Sequence, residues 1–151
     1  EFARRHPGGA LGAALRPIGS MLRFRVGEGV EAIPSSTPIR TALRTAREAS
    51  EGRRSGALLL TDDHGVLEGI MTDGDLRRLL LDNPEAIDGP AAESMTKNPR
   101  TLQEDQPLRE AERLVRTHRV DEIPIVDAEG RPVGLLDVQD LITLKVVRDP
   151  S

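Results

Sequence analysis

Two pairs of side chains in this sequence have the types and spacing to hold a polar ligand: Thr72 with Asp75, and Asp137 with Asp140. Each pair follows an apolar run, Gly69-Ile70-Met71 or Gly134-Leu135-Leu136, at a place where a helix is expected to begin. Thr-x-x-Asp at a helix start is a cap, the hydroxyl and the carboxylate each satisfying a free N–H of the first turn. The remaining N–H groups and the positive end of the helix dipole face outward, where an anion is favoured. A threonine hydroxyl can bond a phosphate there, and an aspartate can accept two hydrogen bonds from ribose hydroxyls. Asp73 lies in the same turn, and Arg78 follows closely enough to reach an anionic ligand. In the second pair Asp137 replaces the hydroxyl with a carboxylate that repels phosphate, while Asp140 can still hold a ribose. One competent site and one weaker or empty site are expected.

Little else in the chain has the makings of chemistry. There are no cysteines, so disulfides and thiolate metal sites are excluded. His6, His64 and His118 have no metal-ligand spacing, and neither a metal nor another cofactor is expected. Arg53 and Arg54 read as solvated surface. The net charge of −4, with basic and acidic residues interspersed, argues against nucleic acid or an anionic membrane as partner. Aromatic residues are limited to Phe2 and Phe24, which leaves no rings on which bases could stack. The longest apolar runs, such as Ala57 to Leu60, are too short to cross a bilayer, and a cytoplasmic location is expected.

The elements that must position the two pairs occur twice. Gly65 answers Gly130, Gly69 answers Gly134, Asp75 answers Asp140 and Leu76 answers Leu141, always 65 positions apart. Upstream, Pro38-Ile39-Arg40-Thr41-Ala42 answers Pro107-Leu108-Arg109-Glu110-Ala111, and Met21 answers Met95. Repetition at this period implies two supersecondary units that bury their apolar faces against each other. Ile39, Ala42, Leu43 and Ala46 predict a helix after Thr37-Pro38, and Leu108, Ala111, Leu114 and Val115 predict its counterpart. Hairpins are predicted from Ala57 to Met71 about Asp62-Asp63-His64-Gly65, and from Ile123 to Leu136 about Asp127 to Gly130. Helices follow from Thr72 to Asn83 and from about Asp137 to Val147, and a short one is expected between Ala10 and Leu15. Each unit is then β-α-β-β-α, an α/β class with helices packed on a small sheet.

The run His118-Arg119-Val120-Asp121-Glu122-Ile123-Pro124-Ile125-Val126-Asp127, its glycine turn, Val133-Gly134-Leu135-Leu136 and Asp140-Leu141 together resemble the cystathionine-β-synthase (CBS) domain. The resemblance implies two CBS repeats packed about a pseudo-twofold axis, each using its cap positions to bind the ribose and phosphate of a nucleotide. Ahead of them, Phe2-Ala3-Arg4-Arg5-His6-Pro7-Gly8-Gly9-Ala10-Leu11-Gly12 resembles the end of the sugar-isomerase (SIS) domain of D-arabinose-5-phosphate isomerases, which carry a CBS pair downstream. Where that family usually has Asp before its linker Met, this chain reads Ile18-Gly19-Ser20-Met21. The expected division is an SIS end and linker over 1–16, CBS repeats over 17–83 and 91–148, a linker over 84–90 and a tail over 149–151.

The resemblance implies an enzyme that interconverts D-ribulose 5-phosphate and D-arabinose 5-phosphate on the way to Kdo, a lipopolysaccharide sugar. His6 would contribute to its active site, with the other acid and base supplied by an SIS domain that this piece lacks. The chain alone is therefore expected to be inactive. Its effector would be a nucleotide like AMP or ATP, or the nucleotide sugar CMP-Kdo. Two alternatives stay open: a ligand-free dimerisation module, or the adenylate-sensing CBS pair of another enzyme or transporter. A dimer is expected through the face of Leu76, Leu79 and Leu80, within a parent that is a tetramer.

Overall fold

Every hairpin in this chain is built to be crossed by a strand from the other repeat. The computed structural model describes residues 10–49 and 52–143. In the first repeat, β3 (Ala32–Pro34) leads into α2 (Ile39–Ala49), β4 (Ala57–Thr61), β5 (Leu67–Thr72) and α3 (Asp73–Asp82). In the second, β7 (Leu102–Gln103), α4 (Arg109–His118), β8 (Glu122–Val126), β9 (Pro132–Asp137) and α5 (Val138–Thr143) run the same course. Ahead of these come α1 (Ala10–Leu15), β1 (Phe24–Val26) and β2 (Gly29–Val30) for the first unit, and β6 (Thr96–Lys97) for the second. The fold is mixed α/β with two repeats, as the β-α-β-β-α pattern predicts.

The hairpins register identically. Ala57 stands opposite Thr72 in β4/β5, and Glu122 opposite Asp137 in β8/β9. The turns fall at Gly65 and Gly130, whose φ values of 80° and 83° suit a residue without a side chain. The lead-in strands then exchange: β6 of the second repeat pairs with β5 of the first, and β1 of the first pairs with β9 of the second. Gly69 and Gly134 permit this crossing. A Cβ at Gly69 would lie 2.8 Å from the Thr96 carbonyl oxygen, and one at Gly134 would lie 2.5 Å from that of Phe24. The result is a five-stranded sheet, β2-β1-β9-β8-β7, and a four-stranded sheet, β3-β4-β5-β6.

Each repeat has its own core, and each core borrows from the other's lead-in. Ile33, Ile39, Leu58, Leu60 and Met71 are joined by Ala91 and Met95, while Leu108, Ile123, Ile125, Leu136 and Leu141 are joined by Ile18. A third cluster unites the sheets, with Phe24, Val30 and Leu135 from one and Ala57, Leu59 and Ile70 from the other. Each large side chain so buried contributes about 1.5–3 kcal/mol.

Two expectations need adjustment. Residues 84–88, read as plain linker, form a 3-10 turn whose Ile87 packs against the first core, and the Gly89 carbonyl accepts a hydrogen bond from Ile39 N. Leu76 and Leu79, assigned to a face needing outside cover, already pack against that core, and Leu81 is the side chain left 77% exposed. The final helix is described as far as Thr143, so its expected continuation to Val147 lies outside the described residues, as does His6.

Candidate functional site

At the start of α3, Thr72 and Asp75 form a full capping box. Asp75 N donates to Thr72 Oγ1 at 3.1 Å, and Thr72 N donates to Asp75 Oδ2 at 3.0 Å. The second carboxylate oxygen of Asp75 accepts from Arg78 Nη2 at 2.5 Å. Thr72, Asp75 and Arg78 thus come together, on one wall of a cleft of about 440 Å³. The facing walls belong to the other repeat: Thr96, Asn98 and Arg100 around its lead-in strand, and Val120, Asp121 and Glu122 where α4 hands over to β8. The strand exchange brings them there, because β6 runs alongside β5 directly above the cap.

Asp73 goes elsewhere. It is the first residue of α3, and one helical step of about 100° turns it away from the cap. It lies beside Gly56, in the wall of a separate cavity of about 610 Å³ that Arg47, Arg54 and Ser55 also line.

The second pair repeats the capping box but not its surroundings. Asp140 N donates to Asp137 Oδ1 at 2.9 Å and Asp137 N to Asp140 Oδ2 at 3.3 Å. Arg23, just before β1, reaches both carboxylates, with Nη2 3.1 Å from Asp137 Oδ2 and Nε 3.2 Å from Asp140 Oδ1. Its guanidinium also stacks 4.5 Å from the centroid of the Phe24 ring. The carboxylate at position 137 is therefore not bare, as the sequence suggested, but neutralised from within, and the outward faces of both acids are occupied. Burial raises the Asp140 pKa, with the Asp137 charge adding to the rise and Arg23 opposing it.

Glu122 is the group that sequence reading missed in the first cleft. Burial, with the nearby carboxylates of Asp121, Asp137, Asp73 and Asp75, raises its pKa to about 7. Its Oε2 is buried without a hydrogen-bond partner among the described residues. The repeat spacing offered a signal, since Ala57 holds the matching position in the first unit. Nothing local announced Arg23, Asn98 or Arg100. His64 donates its backbone N–H to Asp62 Oδ1 in the first hairpin turn, and His118 closes α4. Among the described residues no group of three or more His, Asp or Glu is placed to hold a metal ion. Nor is any described helix long and apolar enough to cross a membrane.

The family model for the CBS domain matches this chain twice, over residues 27–82 and 91–146. The chain is 31% identical over 147 residues to the arabinose 5-phosphate isomerase GutQ of Salmonella typhi, and 32% identical over 151 residues to the arabinose 5-phosphate isomerase KdsD of Pseudomonas aeruginosa. Each match takes in 97% of this chain and 44% of the relative, so the chain spans less than half the length of these proteins. Among solved structures it is similar to the CBS domain pair of protein MJ0100 in complex with 5′-methylthioadenosine and S-adenosyl-L-methionine, with a TM-score of 0.69 and 24% identity over 87% of this chain and 96% of that one. It is also similar to the CBS domain protein PAE2072 from Pyrobaculum aerophilum complexed with AMP, with a TM-score of 0.68 and 23% identity over 87% and 98%. At those identities the likeness is one of fold.

Proposed function

The chain belongs to the CBS-domain family, and from that premise we propose that it is the ligand-sensing portion of an arabinose-5-phosphate isomerase, responding to a nucleotide or nucleotide sugar. The cleft built by Thr72, Asp75 and Arg78 against Asn98, Arg100 and Glu122 carries this reading. It joins a capped helix N-terminus to two guanidinium groups and a carboxylate, the donors and acceptor that a phosphate with a ribose requires. Ligand-bound CBS pairs of the same fold, holding AMP or adenosine derivatives, support the nucleotide class. The isomerase relatives support the parent activity and, through it, CMP-Kdo as the effector that would close a feedback loop.

In this proposal residues 1–16 end an upstream sugar-isomerase domain, 17–83 and 91–148 are the two sensing repeats, and 84–90 joins them. His6 belongs to the upstream active site. The 151-residue chain then has no isomerase activity of its own, and conversion of D-ribulose 5-phosphate by the purified chain would overturn that part of the reading.

Thermal unfolding with AMP, ATP, CMP and CMP-Kdo tests the sensing role. A ligand bound only by the folded state raises the midpoint, by about 2.7 kcal/mol of stabilisation at one hundred times its dissociation constant. The shift should fall by about half or more in Asp75→Ala. No shift with any of the four would leave a ligand-free dimerisation module, which the 77% exposure of Leu81 on α3 would suit.

A further inference from the structure

Glu122 sits where two electrostatic environments meet. It lines the first cleft with Thr72, Asp75, Arg78 and Arg100. In the β8/β9 register it also stands directly opposite Asp137, one of the two acids clamped by Arg23. Like charges directly opposite in an antiparallel pair are destabilising, and the first hairpin avoids the conflict by placing Ala57 opposite Thr72. The second hairpin keeps it, with Asp121 beside Glu122 in sequence, Asp75 sharing its cleft, and the more distant charge of Asp73 adding to the same field. The cations nearby are already engaged or exposed: Arg23 is held by Asp137 and Asp140, Arg78 by Asp75, and Arg100 is exposed at the cleft wall. One carboxylate oxygen of Glu122 is buried without a partner.

A dianionic phosphate entering this cleft adds charge of the same sign beside an under-compensated carboxyl. The least costly adjustment is to neutralise that carboxyl. Resting on the nucleotide reading of the cleft, we infer that Glu122 is its proton-linked element: a phosphate-bearing ligand binds the Thr72–Asp75 cleft together with a proton taken up by the Glu122 carboxyl. The proton comes from solvent, no covalent bond changes, and the protonated acid is then free to donate a hydrogen bond within the cleft. The free carboxyl, raised to about 7 by burial and by its acidic neighbours, is mostly ionised at pH 8 and half-protonated near neutrality. Binding should therefore tighten as the pH falls toward 7, and the cleft would report acidification together with ligand concentration.

Calorimetric titration of AMP into the chain at pH 8.5 and pH 7, in buffers of differing ionisation enthalpy, tests this directly. Net proton uptake is expected, with affinity about fourfold higher at pH 7 if the bound anion raises the Glu122 pKa by one unit. Glu122→Gln should bind AMP with no proton uptake and near-constant affinity over that range, where AMP's own phosphate stays mostly dianionic. AMP binding without proton uptake, or an undiminished pH dependence in Glu122→Gln, would overturn the inference and leave the nucleotide reading standing. Absence of binding to the unaltered chain at millimolar AMP would overturn the inference together with the adenylate reading of the cleft, and the proposed function would then narrow to the nucleotide sugar. The proton count on the unaltered protein needs no variant to fold.

Discussion

Arg23 and Asp140 form the contact that ties the front of the chain to its second helix cap, Nε to Oδ1 at 3.2 Å. The Asp140 side chain is only 10% exposed, so its charge has little water to fall back on. The same segment is fastened to the second repeat by Ile18 N donating to Gln106 O and Gly19 N to Glu104 O, and by β1 on β9. Ile18, Gly19 and β1 are therefore coupled to the second repeat, although they are nearer the first in sequence.

Removing the exposed Arg23 cation leaves the largely buried Asp140 carboxylate less well compensated. Arg23→Gln is expected to lower stability by about 1–3 kcal/mol at neutral pH, measured by urea unfolding. Because burial raises the Asp140 pKa, the deficit should shrink as the pH falls and that carboxyl becomes neutral. A deficit independent of pH would locate the effect in lost packing on Phe24 instead.

Glu122 predicts a pH dependence of stability with a definite sign. Its folded pKa, about 7, lies above the ordinary 4.5, so the folded state binds the proton more tightly than the unfolded chain. Its contribution is fully present below about 4.5 and is lost as the pH rises through about 7. Glu122→Gln carries no such charge. The variant's melting midpoint relative to the unaltered protein should be highest above pH 7 and fall steadily toward pH 5. A gap that stays constant would refute this assignment.

The two capping boxes should weigh alike in stability and unlike in binding. Asp75→Ala and Asp140→Ala each lose a cap contact worth about 1 kcal/mol, and in Asp140→Ala the exposed Arg23 keeps Asp137 as its partner. On the proposed function, calorimetry with AMP should find one site per chain. Asp75→Ala should weaken it at least about tenfold, as expected for one charge-assisted hydrogen bond, and Asp140→Ala only slightly. Two equivalent sites would contradict the reading of Arg23 as an internal occupant.

Gly134→Ala places a methyl against the Phe24 carbonyl and Leu22, where backbone rather than a flexible side-chain tip must yield. A loss of about 1–3 kcal/mol is expected. Its effect should fall on the β1–β9 contact, visible as faster amide exchange at the adjoining register pair Phe24 and Leu135.

A proposed dimer through α3 is checked by light scattering of the unaltered chain and of Leu81→Lys. The substitution alters a side chain that is 77% exposed and should leave stability within about 0.5 kcal/mol while shifting any dimer toward monomer. An unchanged dimer would exclude Leu81 from the contact.

Local order alone dictated the repeats, the hairpins and the caps. Ile39–Ala49 follows from apolar spacing, the turns at Gly65 and Gly130 from a backbone that only glycine adopts readily, and the Thr72–Asp75 cap from side chains reaching N–H groups three residues away. Such interactions span a turn or a hairpin and leave their pattern in consecutive residues. The duplicated glycines at 69 and 134 were legible too, as repeats, but their purpose was not. That purpose is close approach by a strand from the opposite unit, and only the packed molecule says which strand crosses. The same crossing decided the site. It set Asn98 and Arg100 against Thr72, put Glu122 between two groups of carboxylates, and delivered Arg23 to Asp137 and Asp140. Contacts between residues that distant in sequence have no period and no fixed spacing, so Asp137 in place of a hydroxyl marked the second cap as the weaker, and tertiary packing alone supplied the Arg23 that fills it and the walls that make the first a cleft.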